Sequence, residues 1–245
     1  MDKDLRIASY LPGARAVNMK RERSSNQSKP VLLRGRPAPA ARARTDEQKK
    51  DVRDNLIAVG RHLFAVEDPS TVSLRKIAAE TGYSPGTVYK YFRDQHELFI
   101  AIREQDMSRV VDNLEKIAQR TLAPEERLRA VFLAAVRHWL KYPEEFRVLF
   151  SIRPEQSAKP GRPPFGKSAV VLRSYSLYRQ LVDELFATYP TSPCPPRLAT
   201  DTLIAATHGI IAFTLHTHTL EWSNPIKMAE EVLDALLLAW ARSER

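Results

Sequence analysis

Cysteine is almost absent: Cys194 is the only one in 245 residues. No disulfide can form within one chain, so the fold has to be held by packing, as suits a reducing cytoplasm. No stretch reads as an apolar run near the roughly 20 residues of a membrane-spanning helix. The N-terminus has no apolar core followed by a small-residue cleavage site. The expectation is a cytoplasmic protein with no membrane partner. Alternating β-branched and polar residues are missing throughout, which argues against sheets. Also missing are a nucleophile elbow, a phosphate-binding glycine loop and a His-Glu pair at zincin spacing, so neither an enzyme nor a cofactor is expected. His208, His216 and His218 invite a metal. Two residues apart on a helix, however, His216 and His218 point to different sides, and nothing completes a ligand set.

Positive charge is plentiful but unevenly placed. The chain carries a formal +9, of which residues 1–44 hold +8: eleven Lys and Arg against Asp2, Asp4 and Glu22. Rich in Arg, Pro, Ser and Ala, residues 1–44 read as a disordered basic arm suited to an acidic partner, and Met19 is a candidate alternative start. Within the arm, Arg34-Gly35-Arg36-Pro37 resembles the core of an AT-hook, whose arginines enter a narrow A·T minor groove. A solvated tail acting by charge alone is the plainer reading.

From Thr45 onward the pattern is helical. Thr45 is a candidate cap, and Val52, Leu56, Val59 and Leu63 mark one face of a helix ending near Ala65. Ser73 can cap a short second helix, Gly82 punctuates it, and Ser84 with Pro85 opens a third that runs to about Phe92. Asp94 caps a long fourth. Further helices are expected over about 125–141, 143–150, 171–189, 197–221 and 226–242, with a Pro/Gly-rich loop at 153–166. The chain is read as all-α in three parts. These are the arm (1–44), a three-helix helix-turn-helix domain (45–93) and a helical bundle for ligand binding and dimerisation (94–245).

The segment from Ser73 to Phe92 has the physics of a helix-turn-helix. Two short helices meet at a glycine, Ile77, Ala78 and Val88 pack inside, and the second helix is left to present polar groups to a major groove. With the helix before it and Asp94-Gln-His-Glu-Leu98 after it, the segment resembles the DNA-binding domain of the TetR family of repressors. The shared features are the Ile-Ala pair, Thr-Gly-Tyr-Ser, Gly-Thr-Val-Tyr, Tyr-Phe and Glu-Leu. The resemblance implies phosphate contacts from Ser73, Arg75, Tyr89 and Tyr91, and a groove face made by Ser84, Pro85, Gly86, Thr87 and Lys90. Lys90 is the long donor able to reach a guanine edge. Three positions depart from the family pattern. Asp68-Pro69 stands in place of a glycine turn, Val72 in place of a hydroxyl residue, and Gln95 in place of a lysine, which removes one phosphate contact per subunit.

Residues 131–146 resemble a helix pair of TetR-family ligand domains. Ala206-Thr-His-Gly-Ile-Ile211 is similar to a His-Gly element of one C-terminal subfamily. Trp139, Phe146, Phe150, Tyr175, Tyr178, His208 and Phe213 are candidate walls for a small, mostly apolar ligand, with plain core packing as the alternative. Leu203, Ile210, Val232, Leu236 and Trp240 are the candidate dimer face, since the resemblance places dimerisation on the last two helices. The implied protein is a ligand-responsive repressor that binds a palindromic operator as a homodimer. The rival is an architectural DNA-binding protein that works through its arm.

Overall fold

The computed structural model describes residues 46–151, 165–217 and 219–242. Within these, every regular element is a helix. Thr45, the Arg34–Arg36 arm and His218 lie outside the described residues.

Helix α1 (Asp46–Val66) starts with Asp46 and Glu47 at its positive end. It buries Leu56 and Leu63, but also Ile57, Gly60 and Phe64, a wider face than the Val52–Leu63 stripe. Helix α2 (Leu74–Thr81) is capped by Ser73, whose hydroxyl accepts from the Lys76 amide. Gly82 ends it at φ 74°, a left-handed conformation that a side chain would strain. Helix α3 (Pro85–Tyr91) follows at once, with Ser84 accepting from the Thr87 amide and Pro85 in the first turn. Helix α4 (Gln95–Ala118) opens on a reciprocal cap. The Glu97 amide donates to Asp94, and the Arg93 amide donates back to Glu97, both at 2.8 Å.

The bundle continues with α5 (Pro124–Lys141), α6 (Pro143–Phe146), α7 (Ala169–Phe186), α8 (Pro196–His216) and α9 (Pro225–Arg242). Helix α6 is one turn long and passes directly into a π-helical turn, Arg147–Ser151. Phe165 and Gly166, expected in a loop, lie in a 3-10 turn (Phe165–Lys167). The Phe165 ring there covers the buried Arg103 guanidinium at 4.0 Å. Ion pairs stitch the bundle together: Arg173 of α7 to Glu115 of α4, Arg127 of α5 to Glu184 of α7, and Arg129 of α5 to Asp234 of α9.

Two apolar cores form. One gathers α1, α2, α3 and the first turns of α4 around Leu56, Ile77, Val88, Phe92 and Leu98. The other fills the space among α4, α5, α7, α8 and α9 around Leu128, Phe132, Leu181, Leu203 and Leu233.

Helix α8 corrects one expectation. It is 21 residues long, with a mean hydropathy of 1.4 over its most apolar window, so by length and composition it could span a bilayer. Only 33% of that window is buried. The buried part is one face (Ala199, Leu203, Thr207, Ile210, Ile211), while Leu198, Ala205 and Phe213 on the opposite face are exposed.

Candidate nucleic-acid interface and ligand cavity

Helix α3 is anchored from beneath by Val88 and by Phe92 at its end, both buried. That anchoring turns Ser84, Pro85, Gly86, Tyr89 and Lys90 outward, with Thr87 and Tyr91 half-buried at the edges. Ser73 and Arg75 are exposed at the start of α2. Arg75 and Lys90 make no ion pair among the described residues, whereas Lys76 is held by Glu67 at 2.5 Å. A Cβ placed on Gly86 would meet nothing nearer than the Ser84 hydroxyl at 3.9 Å. The protein's own packing therefore does not require a glycine there.

Two of the departures from the family pattern turn out to belong together. Asp68 accepts from the Ser70 amide at 2.8 Å and the Ser70 hydroxyl at 2.6 Å, making a tight turn without glycine. The Ser70 hydroxyl and amide hold the Asp68 carboxyl below its usual range. Gln95 then donates to the Pro69 carbonyl at 2.6 Å, pinning this turn to the start of α4. Its amide is spent inside the domain. The third departure, Val72, is simply buried.

A cavity of about 200 Å³, partly open to the surface, lies between α4, α5, the π turn, α7 and α8. Trp139, Phe150, Tyr175, Tyr178 and His208 line it, as expected. Phe146 is not on the wall but packs behind it, its ring 4.9 Å from both Phe150 and His208. Phe213 is elsewhere: it is 60% exposed and stacks near Trp222. The stripe reading missed Phe132, Val136, Val171, Ser174, Thr207 and Ile211, which also line the cavity. Val171, Tyr175 and Tyr178 stay half-buried on α7 because their face opens onto the cavity. Burial pushes the Tyr178 hydroxyl well above its ordinary value, against a hydrogen bond with Ser174. Burial, followed by the charge of His216, pushes His208 below its ordinary value. Among the described residues no three His, Cys, Asp or Glu side chains are grouped to hold a metal.

The candidate dimer residues divide. Leu203 is fully buried in this chain's own core, and Ile210 and Trp240 are buried there too, Trp240 against Phe186 at 5.3 Å. They cannot form the outer surface. Val232 and Leu236 are half-buried at the core's edge. The open apolar face is instead Leu198, Ala205, Gly209 and Phe213, and a Cβ on Gly209 would meet nothing within 4 Å.

Residues 56–102 match the family model described as bacterial regulatory proteins, tetR family. This chain carries a TetR-family DNA-binding domain. No curated protein matches the sequence. Solved structures of low identity share the fold. One is a transcriptional regulator of the TetR/AcrR family from Thermobifida fusca (21% identity, TM-score 0.56, covering 76% of this chain and 97% of that one). Another is the transcriptional regulator FadR from Bacillus subtilis, in complex with stearoyl-CoA (14%, 0.64, 76% and 98%). A third is SmeT, the repressor of the Stenotrophomonas maltophilia multidrug efflux pump SmeDEF (19%, 0.60, 77% and 89%).

Between the TetR-family domain and the bundle lies a buried ionic network that the sequence stripes did not suggest. Arg61 of α1 grips the fully buried Asp106 of α4 with a two-pronged contact at 2.5 and 2.8 Å. Arg109, one turn on, donates to Asp106 at 2.8 Å and to Glu145 of α6 at 2.7 Å, and Glu145 meets His138 of α5 at 3.3 Å. Burial pushes Asp106 above the usual carboxylate range, opposed by Arg61. Burial also pushes Glu145 upward, but the His138 contact and the charges of Arg109 and Arg61 outweigh it and hold it low. The sequence hid this network: Arg103, Asp106 and Arg109 recur every three residues on α4, but Glu104, Gln105 and Ser108 stand between them and give the stretch the look of a solvated face. Immediately after Glu145, the π turn touches everything at once. Arg147 donates to the Ala65 carbonyl of α1, Val148 joins the TetR-domain core, Leu149 joins the bundle core, and Phe150 lines the cavity.

Proposed function

We propose that this protein is a ligand-responsive transcriptional repressor, acting in the cytoplasm, that binds a palindromic operator as a homodimer. In this reading residues 45–93 bind DNA, residues 94–245 take the ligand and dimerise, and residues 1–44 add a basic arm. Ser73, Arg75, Tyr89 and Tyr91 hold phosphates, while Ser84, Pro85, Gly86, Thr87 and Lys90 face the groove. The exposed apolar face of α8, with half-buried Val232 and Leu236 of α9 beside it, packs on its copy.

The observation that carries the reading is the six-residue run from Glu145 to Phe150. These residues connect α1 of the DNA-binding domain to the wall of an apolar cavity. A ligand that fits only one position of Phe150 therefore biases where α1 sits, and with it the separation of the two reading helices. Selection of bound fragments from a random DNA library tests the function directly. A palindromic consensus is expected, with a half-site spacing near one helical turn. A diffuse A·T-rich pool would overturn it in favour of an architectural role for the arm.

A further inference from the structure

We infer that the cavity is built for a compact, uncharged aromatic molecule bearing one hydroxyl or carbonyl group, which His208 receives. The inference rests on the ligand-site reading above and narrows it to a chemical class. Three observations carry it. The first is size. An apolar cavity of about 150 Å³ takes benzene, so about 200 Å³ suits one ring with substituents or two fused rings. By the same proportion an eighteen-carbon acyl chain needs roughly 450 Å³. The second is charge. None of the described lining residues carries a formal charge, so among them an ionised ligand would find no counter-ion for its lost hydration. The third is the polar inventory. Tyr178 is engaged with Ser174, Thr207 donates to the Leu203 carbonyl at 2.7 Å, and Tyr175 donates to Asp201 at 2.8 Å. Of the lining residues, His208 and Trp139 have ring N atoms with no hydrogen bond among the described residues, and only the imidazole can both donate and accept. The His208 ring is fixed between Phe146 and Phe150, at 4.9 and 4.6 Å. A neutral imidazole offers one donor and one acceptor, which a phenol or ketone satisfies. The aromatic walls, Phe132, Trp139, Phe150 and Tyr178, supply the edge and face contacts that flat rings prefer.

The strongest counter-argument is Arg103, one turn of α4 before the cavity residue Met107. Its guanidinium is buried, bonded to the Leu149 carbonyl, and faces no carboxylate among the described residues. Burial lowers its pKa to about 10. It is covered by the Phe99 and Phe165 rings and is not part of the cavity wall. An acid ligand would have to reach it there.

The experiment is calorimetry on the full chain with four probes: 1-naphthol, naphthalene, 1-naphthoate and stearoyl-CoA. Expected is one 1-naphthol per chain, bound at least ten-fold more tightly than naphthalene and 1-naphthoate, with stearoyl-CoA not binding. In His208→Phe the advantage of 1-naphthol over naphthalene should vanish while naphthalene still binds. His208→Asn, which keeps a donor and an acceptor, should retain part of it. Tightest binding by 1-naphthoate, abolished in Arg103→Met, would overturn the class and assign an acid ligand. Tightest binding by stearoyl-CoA would overturn it in favour of a long-chain ligand, leaving the ligand-site reading intact. If none of the four binds to folded protein, the ligand-site reading itself falls.

Discussion

Gly86 and Lys90 sit side by side on the exposed face of α3, and neither has a task inside the protein. Replacing them therefore separates DNA contact from folding. Lys90→Ala should weaken operator binding by about 1–3 kcal/mol with an unchanged melting temperature. Gly86→Ala should do the same by standing the helix off the groove, and its stability should be equal or slightly higher, since alanine favours helix. Fluorescence anisotropy on a labelled operator and thermal melting check both, and undiminished operator affinity in either variant would remove that residue from the interface. His208 makes a different prediction. Its pKa in the folded chain is lowered, first by burial and then by the His216 charge. The folded chain resists a proton that the unfolded chain accepts, so stability is full above the ordinary histidine value and is lost as pH falls through the folded value. Melting temperatures measured from pH 7 to 5 should fall more in wild type than in His208→Gln. Equal slopes would show that the imidazole is not held neutral.

At the scale of helices, the ends were legible because they are written in single residues. Ser73, Ser84, Pro85 and Asp94 each stop or start a helix by a local hydrogen bond or a missing one. Which face of a helix points inward was legible only where the other face is polar. Helix α8 is apolar nearly all round, so the stripe through Leu203 and Ile210 was read as a partner face, while the exposed side through Leu198, Gly209 and Phe213 was not. Only packing against α7 and α9 distinguishes them. Phe213→Arg should thus give monomers in sedimentation and lose operator binding, with the monomer fold kept because this ring is 60% exposed. A stable dimer in that variant would move the interface elsewhere. The ionic network was illegible for another reason, because its members come from four helices spread over residues 61–145. Asp106→Ala strands the largely buried Arg61, while Arg109 keeps Glu145, and should cost about 3–5 kcal/mol in urea denaturation. A loss below about 1 kcal/mol, the value of an exposed pair, would mean that water already screens this cluster.

For the whole molecule, charge and shape divide the work. Outside residues 1–44 the chain is nearly neutral at +1, so the folded part meets DNA with a few placed cations rather than a broad field. Deleting residues 1–44 should make log affinity less steep in log salt by about 0.9 for each phosphate that the arm had neutralised, with the preferred operator sequence unchanged. Filter binding across a salt series reads this. An altered consensus would instead assign base recognition to Arg34 and Arg36. The cavity shows how far sequence reasoning goes at this scale. Five of its aromatic and histidine walls were named from helical stripes, yet Phe213 was misplaced and Phe146 lies one layer back. Aromatic periodicity shows that rings gather, while the void they leave depends on the crossing of four helices.

The π turn at Arg147–Ser151 holds one residue more per turn than an α-helix of the same span. Removing that residue from the turn would rotate everything beyond it by about 100°. Val148 and Phe150, now divided between the core under the DNA-reading helices and the cavity wall, could then no longer both keep their places. Such a segment relates its two ends by phase rather than by distance. In the proposed reading, an occupant pressing on Phe150 acts on the DNA-binding side through that phase, without pushing anything toward it.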